Sequence, residues 1–151
     1  MGLEEREVRE PTSLEEGAVY IGEWRKGSNF RAGRGLQIYP DGSLYEGYWK
    51  DNKPHYYGRF VHKDGEMYQG EWLNDKPHGV GFVYHQHGSQ YRGFWKNDLQ
   101  DGRGMERWPD GSKFVGSYSQ GAKHGHGVFT WANGNRYDGE FVENRIEGKG
   151  R

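Results

Sequence analysis

The chain has 151 residues, of which 32% are hydrophobic and 16% aromatic, and its 21 basic and 22 acidic side chains leave a net charge of -1. This balance gives no electrostatic argument for nucleic acid, the lack of cysteine excludes disulfides and thiol chemistry, and no apolar stretch approaches the roughly 18 residues of a membrane-spanning helix. Low hydrophobicity alone is typical of disorder. The aromatic residues recur periodically, however, which predicts an ordered domain whose core is built from Tyr, Trp and Phe.

Residues 1–15 form an acidic N-terminal segment ahead of the periodic region. The stretch LEEREVRE is compatible with a short helix, and VREPTSL with an edge strand. Neither contains the apolar run of a signal peptide. We therefore expect residues 1–15 to form either a short helix or an edge strand.

Residues 16–151 consist of six copies of one unit, each opening on an aromatic-x-Gly-x-aromatic motif. The first two copies are 25 residues apart and the others 23. A Gly-x-Gly element follows in every copy except the second, where Tyr56 replaces a glycine. In the sixth copy this element begins at Gly148, and the sequence stops soon after it. The motifs begin at Tyr20, Tyr45, Tyr68, Tyr91, Phe114 and Tyr137.

Each unit predicts a β-hairpin. In YEGYWK, Tyr45, Gly47 and Trp49 alternate with polar or exposed positions, which is the period of a strand. Turn dipeptides such as Asp41-Gly42 separate one unit from the next, and short connections favour antiparallel pairing. The fold class expected is all-β, an elongated single-layer antiparallel meander of about six hairpins. A glycine between two aromatics leaves space for a neighbouring ring, so stacked rings would form the core.

The unit YxGxW…HGxGxxxxxDGxxYxG resembles the MORN (membrane occupation and recognition nexus) repeat over residues 16–151. The resemblance implies an extended sheet of hairpin repeats and a non-enzymatic scaffold or adaptor that binds partner proteins. It also implies a cytoplasmic protein at a membrane or cytoskeletal structure, with association to phospholipid. Departures include two extra residues in the first repeat and Asp101, Phe114 and Tyr118 at positions where the unit usually has other residues.

The aromatic-glycine face of the middle repeats is the predicted partner-binding groove, suited to a helix or extended segment of another protein. Trp and Tyr dominate binding hot spots. The competing interpretation is that these rings are core, with binding on the opposite face around Tyr48, Phe82, Phe94 and Met105. The predicted groove residues are Tyr45, Trp49, Tyr68, Trp72, Tyr91, Trp95 and Trp108.

The sequence carries no signature of catalysis, of a cofactor or of a metal site. His85 with His87, and His124 with His126, alternate along strands, but no third ligand is fixed by spacing. A choline-binding aromatic repeat is a second interpretation, although its unit is shorter. A third is an accessory module of a larger enzyme of the lipid kinase or methyltransferase type. Nucleic acid is not an expected partner.

Open sheet edges invite pairing with another chain. The sixth repeat stops within its second strand, so its edge is the better candidate. We expect a homodimer joined through repeats five and six.

The elongated meander makes a prediction about size in solution. A compact globule of this length has a radius of gyration of roughly 15 Å, whereas a single-layer sheet of hairpins extends further. Small-angle scattering of the monomer is expected to give a clearly larger value, and the compact value would contradict the predicted architecture.

Overall fold

The computed structural model describes residues 5–147, which form fourteen β-strands joined by turns. The predicted all-β antiparallel meander of hairpin repeats is confirmed. The strands are β1 Arg6–Val8, β2 Thr12–Ser13, β3 Val19–Arg25, β4 Arg31–Ile38, β5 Leu44–Lys50, β6 Lys53–Val61, β7 Met67–Leu73, β8 Lys76–Tyr84, β9 Gln90–Lys96, β10 Leu99–Arg107, β11 Lys113–Ser119, β12 Ala122–Thr130, β13 Arg136–Val142 and β14 Arg145–Glu147.

The chain divides into two compact units between Lys76 and Pro77. In unit 1, β1 and β2 both pair with β3, and antiparallel pairing then joins β3 to β4, β4 to β5, β5 to β6 and β6 to β7. The described part of the N-terminal segment is therefore an interrupted edge strand, and residues 1–4 lie outside the described range.

In unit 2, each strand from β8 to β14 again pairs antiparallel with its successor. The last pairing joins Val142 to Arg145 and Glu140 to Glu147. The Gly-x-Gly element predicted at Gly148 lies outside the described residues.

In repeats two to six, the turn inside the repeat is a two-residue connection with positive φ at both positions, whereas residues 26–30 form a five-residue connection in the first repeat. Asp51 and Asn52 have φ of 49° and 70°, and Asn97 and Asp98 repeat these values closely at 48° and 74°. Two left-handed residues in succession make the type I′ turn that matches the twist of antiparallel strands, which favours Asn, Asp and Gly.

A second kind of turn joins one repeat to the next. The Tyr39 N–H donates to the Ser43 carbonyl at 2.9 Å, and the Gly42 N–H donates back to the Tyr39 carbonyl at 3.0 Å. The Asp41 carboxylate accepts from the Ser43 N–H at 2.9 Å, so the Asp-Gly signal has a direct structural role. The same backbone pair recurs at His62, His85, Trp108 and Trp131.

A row of paired glycines runs across each unit, from Gly22↔Gly35 to Gly58↔Gly70 in unit 1 and from Gly81↔Gly93 to Gly127↔Gly139 in unit 2. A Cβ added at Gly58 would overlap the Tyr45 ring, because that ring lies directly on the backbone. The predicted space above the glycines is thus filled by the tyrosine of the motif.

Tyr56 occupies the glycine position of the second repeat without changing its backbone. Its φ is 63°, against 73° at Gly33 and 91° at Gly79. A bulky residue in this region costs on the order of 1–3 kcal/mol. The surrounding ladder therefore imposes the conformation on whichever residue the sequence supplies.

Gly58→Ala is expected to lower the free energy of unfolding by at least about 3 kcal/mol, because the fully buried Tyr45 ring cannot move away from an added methyl group. The measurement is urea unfolding followed by circular dichroism.

Gly65→Ala is the matched control, since its φ is 97° and no atom lies within 4 Å of an added Cβ. It is expected to cost only the left-handed strain of about 1–2 kcal/mol. Equal losses in the two variants would rule out ring-on-glycine contact as the source of stability.

Candidate functional site

The motif aromatics of unit 1 form a zigzag column of edge-to-face rings. Tyr45 contacts Trp49 of its own strand at 5.1 Å between centroids and Trp72 of the following repeat at 5.2 Å. The interplanar angles are 89° and 84°. Tyr20 repeats the pattern with Trp24 and Trp49, at 5.1 and 5.3 Å. Each such pair adds roughly 0.5–1.5 kcal/mol beyond burial.

Unit 2 continues the pattern with different residues. Tyr91 lies edge-to-face with Trp95 at 5.2 Å and with Tyr118 at 5.1 Å, and Phe114 contacts Phe141 at 5.0 Å. Phe114 therefore replaces the first aromatic of the motif, and Tyr118 and Phe141 replace its tryptophan, while the edge-to-face contacts are kept. What the column requires is a flat ring at each motif position.

Most hydroxyl and indole N–H groups of the column rings donate hydrogen bonds to backbone carbonyls. The Tyr45 hydroxyl donates to the Tyr48 carbonyl at 2.9 Å, and Trp49 Nε1 donates to the Gly35 carbonyl at 3.1 Å. The tyrosine bond recurs at Tyr20, Tyr68, Tyr91 and Tyr137, and the tryptophan bond at Trp72 and Trp95. Trp24 Nε1 has no acceptor among the described residues, and it is the one buried side-chain nitrogen or oxygen there in that condition.

Tyr118, which replaces the motif tryptophan in repeat five, uses a different acceptor. Its hydroxyl donates to the Glu106 carboxylate at 2.6 Å, and Lys123 Nζ lies 3.4 Å from the same oxygen. Burial, with help from the Glu106 charge, raises the pKa of the Tyr118 hydroxyl far above its ordinary value. Burial likewise raises the pKa of Tyr20, Tyr45 and Tyr91.

The seven predicted groove residues separate into two classes. Five belong to the buried column, and even the most exposed of them, Trp72, is only 8% exposed. Trp95 and Trp108 are partly buried and pack against the column of unit 2. The five column members are Tyr45, Trp49, Tyr68, Trp72 and Tyr91.

More accessible rings lie on the same face at the ends of the second strands. In unit 2, Phe129 lies between Trp108 at 5.4 Å and Trp131 at 4.8 Å, and Trp131 is 39% exposed. We call Trp108, Phe129 and Trp131 the turn-ring cluster. The partner-binding prediction included only Trp108. The signal for Trp131 is its position, 17 residues after the motif aromatic Phe114, as Trp108 follows Tyr91.

The opposite face of unit 2 also exposes apolar side chains. Val80 and Phe94 are cross-strand partners, and each is about half exposed. Beside them a cavity of about 260 Å³ is lined by Phe82, Arg92 and Met105, with the Arg92 guanidinium 5.4 Å from the Phe82 ring. This is the surface that the competing interpretation of the sequence named.

The paired histidines do not assemble a metal site within residues 5–147, where no group of three His, Cys, Asp or Glu residues has the required geometry. His85 and His87 stack at 5.6 Å, and His126 Nε2 lies 2.7 Å from the Asp138 carboxylate. Over the same residues no helix is long and apolar enough to cross a membrane.

The sequence profile of the MORN repeat matches the chain six times, at residues 20–44, 45–67, 68–84, 91–113, 114–136 and 137–151. The chain belongs to the MORN repeat family. MORN repeats are in general binding or scaffold modules, and the chain is a repeat module of this kind.

Two further comparisons add little to this assignment. A comparison with curated protein sequences gives no match. Among solved structures, the chain is similar to the SAS-4 (dCPAP) TCP domain in complex with a proline-rich motif of Ana2 (dSTIL) of Drosophila melanogaster, at 11% identity and a TM-score of 0.38. The similarity covers 87% of this chain and 90% of that chain.

The raised tyrosine pKa values predict a loss of stability at alkaline pH. Below about pH 10 the hydroxyls keep their protons in both states. Above it the unfolded MORN array releases them and the folded one does not, so the free energy of unfolding falls as pH rises. The Tyr118→Phe variant lacks one such hydroxyl. Between pH 10 and 11, its free energy of unfolding is therefore expected to fall by about 1 kcal/mol less than that of the wild type.

Urea unfolding at pH 7, 9, 10 and 11 measures this difference. At pH 7 the variant is expected to be about 1–3 kcal/mol less stable, because the Glu106 carboxylate loses its donor. Tyr84→Phe, at an exposed position, is the control and is expected to follow the wild-type profile. A Tyr118→Phe profile parallel to wild type would contradict the assignment.

Proposed function

We propose that this MORN protein is a non-enzymatic scaffold that binds a helix or an extended segment of a partner protein on the ring-bearing face of its repeats. The observation that carries the proposal is the turn-ring cluster of unit 2. There the Phe129 ring lies 5.4 Å from the Trp108 ring and 4.8 Å from the Trp131 ring, centroid to centroid. They keep exposed area on the face where the rings of Tyr91 and Phe114 are fully buried.

The composition of the cluster suits protein recognition. Trp and Tyr are the residues most enriched in binding hot spots, and large rings contribute contact area at low cost in side-chain entropy. The Lys123 ammonium lies 5.2 Å from the centre of the Trp108 ring, which holds that ring in place. Trp95 adds a further partly buried ring packed on the same column.

In this proposal the column and the cluster have separate roles. Tyr91 and Phe114 are fully buried and fix the sheet surface. Of the predicted contact residues, Trp95 and Trp108 touch the partner, together with Phe129 and Trp131. The remaining predicted residues support the face through stacking and do not contact the partner directly.

The cellular setting is part of the same proposal. A scaffold of this kind would act in the cytoplasm at a membrane or cytoskeletal structure, alone, as a homodimer through repeats five and six, or as the accessory module of a longer enzyme. Phospholipid association belongs to the proposal through the family resemblance only.

The opposite face of unit 2 is the second candidate surface. Phe94 is 49% exposed, and it lies beside the cavity lined by Phe82 and Met105. Charged pairs such as Arg136 with Asp138 interrupt this face. They make it a less continuous apolar surface than the turn-ring cluster.

The two surfaces are separated by a peptide selection followed by matched variants. Peptides selected from a random display library on the full chain are titrated by calorimetry against wild type, Trp131→Ala and Phe94→Ala. Both residues are large and exposed, so both variants are expected to fold. Trp131→Ala is expected to weaken binding at least tenfold, about 1.4 kcal/mol, and Phe94→Ala less than twofold.

A benzoyl-phenylalanine cross-linker introduced at Trp131 gives an independent readout, since it is expected to capture the selected peptide. The reverse result, with loss of affinity only in Phe94→Ala, would transfer the proposed function to the opposite face. Selected peptides whose affinity neither variant changes would refute both surfaces.

A further inference from the structure

The first repeat of unit 1 leaves a buried hydrogen-bond donor without an acceptor. Trp24 is 4% exposed, and its Nε1 finds no partner among residues 5–147. An unsatisfied buried donor costs on the order of 1–3 kcal/mol. Such a group in a folded protein calls for an explanation, and a missing ligand is one.

Comparison with the other repeats explains what is missing. Trp49, Trp72 and Trp95 each donate to a glycine carbonyl 14 residues earlier in the chain. The equivalent position for Trp24 is Glu10, which lies between β1 and β2 where the edge strand is interrupted. The Glu10 carbonyl accepts from the Thr12 hydroxyl at 2.8 Å instead, and Pro11 follows it.

A cavity of about 570 Å³ lies beside Trp24 and the interrupted edge strand. This is within the range of pockets that hold small ligands or short peptide segments. Arg9 covers the Trp24 ring, with its guanidinium carbon 4.6 Å from the ring centre. Other residues lining the cavity are Thr12, Ser13, Arg31, Gln37, Tyr39 and Asn52.

Arg31 brings to this cavity a positive charge that has no direct ion pair. It is the cross-strand partner of Trp24, so the two side chains share a face. Its guanidinium lies 4.9 Å from the centre of the Trp49 ring. Its hydrogen bonds go to the neutral amide oxygens of Asn52 and Gln37, and no carboxylate of the described chain forms an ion pair with it.

The partial burial of Arg31 is consistent with a missing anion. Desolvation lowers the pKa of its guanidinium, while Tyr39, Tyr20 and Asp75 act in the opposite direction. Buried charges are normally paired, because desolvation of a lone ion is costly. A carboxylate in the cavity would pair with this charge. The Trp24 N–H is closed to solvent in this structure, so the carboxylate oxygens would accept from it on a shift of the covering Arg9 side chain.

We propose that the cavity formed by Trp24, Arg31 and Arg9 binds a carboxylate of a partner polypeptide, with one oxygen accepting from Trp24 Nε1 and the charge facing Arg31. Guanidinium and indole N–H groups both donate and do not accept, so the site selects an anion rich in acceptors. Glu15 and Glu16 also line the cavity and repel multiply acidic segments. The carboxylate is therefore carried by an otherwise neutral or basic segment, as a chain terminus or as a single Asp or Glu.

This site lies within unit 1 and does not depend on the surface proposed in the preceding section. Its test uses ¹⁵N-labelled full chain, in which each indole N–H gives its own nuclear magnetic resonance signal. Trp24→Phe identifies the Trp24 signal. The probes are a neutral Gly-Ser peptide with a free C-terminal carboxylate, its C-terminal amide, and that amide with one internal Asp.

The free-carboxylate peptide or the Asp peptide is expected to move the Trp24 signal saturably with a Kd of about 1 mM or tighter, and the neutral amide is not. Arg31→Met is expected to weaken binding at least tenfold. Arg34→Met removes the same charge from the same strand on the opposite face, where Arg34 lies over Tyr48, and is expected to change affinity less than twofold. Arg31→Lys, which keeps the charge, is expected to retain part of the affinity if Arg31→Met does not fold.

Two results would overturn the proposal. One is a Trp24 signal that stays fixed up to about 10 mM of either carboxylate peptide, a concentration at which even a weak site fills. The other is equal affinity for the neutral amide or for the Arg31→Met variant. The peptide that binds tells whether the site takes a chain terminus or an acidic side chain.

Discussion

The fold depends on one recurring contact, a tyrosine or phenylalanine ring that lies on a pair of glycines, as Tyr20, Tyr45, Tyr91 and Phe114 do. Tyr45 covers Gly47 of its own strand and Gly58 of the next, where any Cβ would overlap it. A single-layer sheet has no second layer to bury its face. The Tyr45 ring covers the face of its own hairpin, and Trp72 of the following repeat packs edge-to-face against that ring. Hydrophobic burial in this protein is therefore carried from one repeat to its neighbour.

The same contact decides which aromatic residues are free for function. A ring enclosed between its own strand and the next repeat, such as Tyr91, has no area left to offer a partner. Rings at the ends of the second strands have neighbours on fewer sides. Trp131 therefore keeps exposed surface although it has the same chemistry as the column rings. An aromatic-rich sequence of this family thus contains a structural set and an accessible set of rings.

A column built from neighbours also makes its first member exceptional. Trp24 is a motif residue, yet the interrupted edge strand supplies neither the carbonyl nor the ring that a preceding repeat would bring. Arg9 covers part of the opening, and Arg31, whose hydrogen bonds go to amide oxygens and not to a carboxylate, lies beside it. At this edge of the array, a motif residue that is structural in the other repeats lines a cavity with its own chemistry.

The sequence alone determined the repeat, the strands and the turns, because each follows from local rules: alternation within a strand, Asp-Gly between strands and glycine where backbones approach. It did not determine which rings are accessible, since the burial of Trp72 depends on its contact with Tyr45, which lies in the preceding repeat. Likewise, the sequence marked Tyr118 as a departure from the motif, but only the tertiary structure supplied Glu106 as its acceptor. The physical reason is that strand and turn formation are governed by near neighbours, whereas burial and hydrogen-bond satisfaction are fixed only once the repeats stack.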